Sequence, residues 1–211
     1  MSTLARQLKA IGACEKAVVW AKDYKTLHSA WKACERGDWM LWLCGNMEGK
    51  KGWPTRRQIV LVACDCAELA LPIYEKKYPN DKRVRECIEV TRKWANGEAT
   101  IKEVRQARSA AADAAAYAAA YAAADAADAA YAAAYAAAAA AYADAAYADA
   151  AAYAADAVAT YAAYAAYADD ARLRTYKQCA DFCRKRLKIP MRIREMKPCL
   201  LYTSPSPRDC S

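Results

Sequence analysis

Proton transfer or nucleophilic attack needs a positioned base, an activated nucleophile and a cleft to hold them. The sequence offers few candidates. His28 is the sole histidine, and nothing near it in the chain supplies a partner, so it reads as an ordinary helix residue. Cys64-x-Cys66 resembles a metal or redox pair, but residues two apart on a helix point away from each other. A structural zinc site wants four Cys or His ligands in paired spacings, which are missing here. Cys179 and Cys183 do share a helix face, four residues apart, yet cysteine at such positions usually serves as a small buried hydrophobe. Carboxylates are plentiful in the middle of the chain, but they scatter around the helix instead of converging. The chain lacks a Gly-rich phosphate loop and a G-x-S-x-G elbow. These residues therefore assign no catalytic position, no cofactor and no metal, and the chain reads as a non-enzyme.

Residues that could bind a partner are easier to find. Arg36-Gly37-Asp38 spells an adhesion tripeptide, although a helix break at Gly37 with Asp38 capping the next helix explains it more simply. Trp53 follows glycines and lysines in a loop, where an aromatic either contacts a partner or anchors the loop on the core. Asp144, Asp149 and Asp156 lie in an acidic stretch that reads as a solvated surface and could pair with the basic flanks of the chain. The basic C-terminal helix is a poor case for nucleic-acid binding: no reader fold is recognisable, and the acidic stretch would repel phosphate. An ice-binding face would need regular threonines, and Thr160 is the sole threonine in this tract.

The elements that would position these residues are helices throughout. Charge divides the 211 residues into blocks. Residues 1–108 carry 21 basic and 13 acidic side chains; residues 109–171 carry eight Asp and no Lys or Arg; residues 172–198 carry ten basic and two acidic. Apolar positions recur at helical spacing over 4–22. Thr26 can cap a helix through His28 and Trp31, and Asp38 can cap WMLWLC, which Gly45 would end. Thr55-x-x-Gln58 and Thr100-x-x-Glu103 are capping boxes. IVLVACDCAELAL is apolar nearly all round and belongs at the centre of a core, with Pro72 kinking or ending it. Asn80/Asp81 opens a helix that Asn96-Gly97 closes. A last helix over 172–189 stops at Pro190.

Gly97 to Pro190 contains no other Gly or Pro, and alanine has the highest helix propensity. As one rod this stretch would run about 138 Å, so at least one reversal is required, near Asp125–Asp128 or Asp144–Asp149. Tyr117, Tyr121, Tyr131, Tyr135, Tyr142, Tyr153, Tyr164 and Tyr167 fall within about 40° of one direction at helical rotation, which predicts that the tyrosine stripe is the packing face. The fold class is all-α: a multi-helix bundle with long Ala-rich helices, arranged as an antiparallel helical hairpin. The blocks are a helical bundle over 1–97, an Ala/Tyr/Asp-rich segment over 98–171 and a basic helix over 172–198 packed on the same domain.

Neither a signal-like apolar start nor an apolar run long enough for a membrane is present, which points to a cytoplasmic protein with free thiols and no membrane partner. Cys199 to Asp209 reads CLLYTSPSPRD, the translation of a transposase adapter used in short-read sequencing libraries. Residues 199–211 are therefore expected to be an artefactual, disordered tail, with the natural chain running on past Pro198.

Three strings carry a family resemblance: AWKACERGDWMLWL; CAELALPIYEKKYPNDKRVRECIEVTRKWANGEAT; and the terminal helix QCADFCRKRL. With the Ala-rich helices between them, they resemble a bacterial and phage group of immunity proteins of the Imm-five-like type, across most of residues 10–190. The resemblance implies an all-α, non-enzymatic protein whose partner is a toxin that it neutralises. An acidic face toward that toxin would suit a nuclease. Two rival readings stand beside this one: a phage-encoded, self-assembling helical protein with the tyrosine stripe as its seam, and a nucleic-acid-binding accessory protein.

Overall fold

The computed structural model describes residues 2–120, 124–141, 150–159, 169–191 and 193, and every regular element among them is helical. Local sequence sets most helix ends. Gly12, at φ 85°, splits the expected run over 4–22 into α1 (Thr3–Ala10) and α2 (Glu15–Trp20), followed by a 3-10 turn at Ala21–Asp23. α3 (Leu27–Ala33) starts at a Thr26/Ser29 capping box. α4 (Gly37–Asn46) starts two residues earlier than expected: Arg36 holds the cap position, Asp38 sits inside the first turn, and Gly45 stays within the helix. α5 (Arg56–Glu68) and α8 (Ile101–Ala120) begin at the two predicted capping boxes. The run ends as expected ahead of Pro72: α5 stops at Glu68, whose carbonyl a proline four residues on cannot bond, and Pro72 itself lies in the first turn of α6 (Leu71–Lys77), where its missing N–H costs nothing. α7 (Arg83–Asn96) ends at Gly97, whose φ of 87° a side chain would strain. α9 (Ala124–Ala141), α10 (150–159) and α11 (Asp169–Arg186) complete the order.

α5 is the central helix. It touches α4, α6, α7, α9 and α11, and Ile59, Val60, Val62, Ala63, Cys64 and Cys66 are wholly buried along it. That matches its apolar circumference, since a helix packed on all sides has no polar face to keep. A smaller cluster joins Leu4, Leu8, Val18 and Leu27 with Leu43, Met47 and Ile193. The Gln7 amide donates to the Ile193 carbonyl at 3.0 Å, tying the two ends of the described chain together.

The Ala-rich tract folds back on itself. α8 and α9 pack along each other across a three-residue link, so the chain reverses between Ala120 and Ala124, just ahead of Asp125. The other expected reversal, at Asp144–Asp149, lies outside the described residues. Tyr121, Tyr142, Tyr164 and Tyr167 lie outside the described residues, and the four members of the tyrosine stripe that are described run opposite to expectation. Tyr117, Tyr131, Tyr135 and Tyr153 are exposed at 48, 38, 38 and 39%, whereas Ala114, Ala115, Ala133, Ala136, Ala137 and Ala154 are fully buried. Methyl side chains let helix axes approach more closely than tyrosine allows. The Cys87 thiol consequently reaches the Ala133 carbonyl of α9 at 3.5 Å.

Three contacts pin the bundle. Gly37 lets α4 cross α11 at backbone distance: a methyl there would overlap the Cys179 Cβ and stand 2.7 Å from the Ala180 nitrogen. Asp65 on α5, 7% exposed, receives Arg92 from α7 at 2.8 Å and Arg186 from α11. Asp81, ahead of α7, accepts from the Arg83 guanidinium at 2.5 Å and the buried Tyr74 hydroxyl at 2.6 Å.

Two outcomes follow. Gly37→Ala should destabilise the protein by about 2 kcal/mol or more, because neither helix backbone can yield; in a melting experiment that is roughly 4–8 °C for a chain of this size. The hydrogen bonds from Arg83, with help from Tyr74, pull the Asp81 pKa down to about 2. Its folded value lies below its unfolded value of about 4, so this stabilisation is present above pH 4 and is lost as pH falls toward 2. Asp81→Asn should flatten that part of an acid-denaturation profile.

Candidate partner-binding site

One cluster joins residues that lie far apart in sequence. Arg36, at the cap of α4, donates to both carboxylate oxygens of Asp38, at 2.9 and 2.6 Å. Its guanidinium is held between two rings, 4.7 Å from the Trp39 centroid and 4.1 Å from the Tyr176 centroid. Tyr176 comes from α11, and its hydroxyl donates to Asp156 of α10. Arg172, one turn before Tyr176, donates to the same hydroxyl at 3.3 Å. Two cations and two carboxylates therefore meet on α4, α10 and α11. A planar guanidinium serves this position well, since it can stack on rings and bond a carboxylate along its edge at once.

The cluster forms one wall of a cleft of about 170 Å³ whose other walls are apolar. Trp20, Trp31, Trp39 and Trp42 line it, together with Leu4, Leu8 and Leu43, while Arg36, Asp38, Tyr153 and Asp156 supply its polar wall. Trp20 meets Trp39 edge-on, with centroids 5.9 Å apart. Beyond Tyr153 the aromatic surface continues outward: the Tyr135 ring lies 5.5 Å from Tyr153, and Tyr131 lies 6.4 Å from Tyr135. The result is a row of exposed rings that leads into the cleft.

The acidic groups here are engaged with partners. Asp38 is 8% exposed, and burial raises its pKa while Arg36 opposes the rise. Burial, with Asp38 and Asp156 nearby, raises the Tyr176 pKa as well. Burial pushes the Cys34 thiol up to about 11, and those of Cys44, Cys66 and Cys183 also upward. A thiol in such surroundings is protonated at neutral pH and a poor nucleophile. No group of three or more potential metal-binding side chains occurs among the described residues.

The residues singled out from sequence separate into three sets. Arg36, Asp38 and Asp156 come together at the cleft. Trp53 is not among the residues lining it; half-buried, Trp53 packs against both hydrophobic clusters and is placed as a loop anchor. Asp144 and Asp149 lie outside the described residues. Sequence reasoning missed Tyr176 and Arg172 as members of the cluster. Tyr176 lies on the last helix, and nothing in the spacing ties it to Asp156.

The model of one protein family, the Imm-5 like putative immunity protein, matches residues 54–185. The chain belongs to this family. No curated protein and no solved structure matches it. The span matched to the immunity family runs from the start of α5 nearly to the end of α11. It contains Tyr131, Tyr135, Tyr153, Asp156, Arg172 and Tyr176. The Arg36–Leu43 string, which carried part of the resemblance read from sequence, lies before it. No helix among the described residues is long and apolar enough to cross a membrane.

The buried ion pair gives a direct test. Arg36→Ala leaves the Asp38 carboxylate buried without its partner and should cost about 3–5 kcal/mol, seen as a lower urea midpoint. Replacing both, Arg36→Met with Asp38→Leu, should recover much of the loss, because the uncompensated charge is then gone.

Proposed function

We propose that this member of the immunity family acts in the cytoplasm by binding a toxin and blocking it, without catalysis. The observation that carries the reading is the row of exposed tyrosines on α9 and α10 running into an apolar cleft. Interfaces are enriched in tyrosine and tryptophan, and their strongest contacts are aromatic anchors in desolvated pockets. Tyr131, Tyr135 and Tyr153 supply the outer contacts, and the tryptophan-lined cleft accepts an anchor. The carboxylates expected to face a partner fit this surface differently. Asp156 is engaged by Tyr176, so it supports the site from within, and Asp156→Lys would break the cluster instead of testing a contact.

The test is a protection assay with a toxin domain taken from the genes that neighbour this one in its source DNA. Cells producing that domain should survive when the full chain is co-expressed. The triple variant Tyr131→Ser/Tyr135→Ser/Tyr153→Ser should protect at least tenfold less while keeping the helical circular-dichroism spectrum of the unaltered protein, since alanines and not these rings fill the interior of the tract. Failure of the unaltered protein to protect or to bind that domain overturns the immunity reading. Equal protection by the variant moves the interface elsewhere.

A further inference from the structure

We infer that the Tyr131–Tyr135–Tyr153 face takes an arginine-rich, positively charged segment of the partner protein. The inference rests on the binding role proposed above and adds the partner's chemistry. Geometry comes first. The rings stand 6.4 and 5.5 Å apart, on successive turns of α9 and then across to α10. Alternate side chains of an extended peptide are spaced by about 6.6–6.8 Å, so consecutive guanidinium groups on one side of such a segment can each meet a ring.

Charge points the same way. The tyrosines stand in a stretch, residues 109–171, with eight Asp and no Lys or Arg. Asp128 precedes Tyr131 by three residues on the same helix. The face of a phenol ring attracts cations through its quadrupole, and the excess of Asp in this stretch of sequence biases it toward a positively charged partner. A nucleic acid or an acidic protein would meet repulsion here. The bias is local, because the whole chain carries a net charge of +8 while this stretch holds no basic residue. The same chemistry operates inside the protein, where Arg36 stacks on Tyr176 at 4.1 Å and bonds Asp38. Arginine suits such a face better than lysine, since its planar, weakly hydrated cation stacks on rings.

The experiment uses the full chain and labelled nonaarginine and nonalysine peptides, followed by fluorescence anisotropy in moderate salt. The unaltered protein should bind nonaarginine more tightly than nonalysine, and about tenfold more tightly than the Tyr131→Ser/Tyr135→Ser/Tyr153→Ser variant does. That variant keeps the charge at neutral pH, so attraction to the acidic tract alone would survive it. Tyr117→Ser, which removes an exposed ring outside the row, should leave binding unchanged. Equal affinity of the unaltered protein and the triple variant overturns the inference. So does a doubling of mass in sedimentation that the triple variant abolishes, which would make the row a seam between two copies. The peptides need no toxin, so loss of protection with peptide binding intact sinks the toxin reading, and the reverse result sinks this one.

Discussion

An alanine side chain buries a single methyl group, worth on the order of 1 kcal/mol against several times that for a large core residue. Helices built from alanine must therefore compensate by approaching closely, so that backbone as well as side chain is brought into contact. α8, α9 and α10 depend on this constraint. It fixes which face turns inward, because one tyrosine inserted between two of these helices would push their axes apart. It explains why Cys87 reaches a carbonyl of α9. The same requirement appears where α4 crosses α11, with Gly37 permitting the approach that alanine permits in the tract.

Close approach by itself specifies little, since one alanine surface fits another in many registers. The polar contacts supply what the methyl groups lack. Asp65 is reached by arginines from two other helices, and the Arg36, Asp38, Tyr176 and Asp156 cluster joins α4, α10 and α11. Buried charge of this kind stabilises weakly at best, because desolvation offsets much of the attraction. Its effect is selective: any other register would bury the same charges without partners. The N-terminal helices thus contribute to the site in two ways, by walling the cleft with tryptophan and by supplying the cation that Tyr176 and Asp38 require.

Helix ends were legible wherever a side chain or a backbone angle decides them locally. Thr55, Thr100 and Gly97 act through neighbours three or fewer residues away, and their positions could be read directly. Gly12 broke a run that periodicity alone kept continuous. The orientation of the tyrosine stripe was not legible, because periodicity says which residues share a face and not which face is inside. When the opposite face is alanine, both faces are apolar and the pattern is ambiguous. The site was half legible. Arg36, Asp38 and Asp156 stood out by charge, but Asp156 meets Tyr176 through a pairing between helices that no spacing encodes. Family membership came from residues 54–185, which hold the α10 and α11 side of the cluster but not Arg36 or Asp38.

The smooth alanine face has a further consequence for how such a gene can change. Inserting four residues rotates the following helix by about 40°, and inserting seven by about 20°. A repeated unit of the YAAA kind can therefore be gained or lost with little twist, and the alanines on either side still meet alanines. Gain or loss of such a unit would lengthen or shorten the row of rings while shifting α9 along α5, α6 and α7, on which it packs. The outward face can thus diversify by whole repeat units as long as the inward face keeps presenting small side chains to its neighbours.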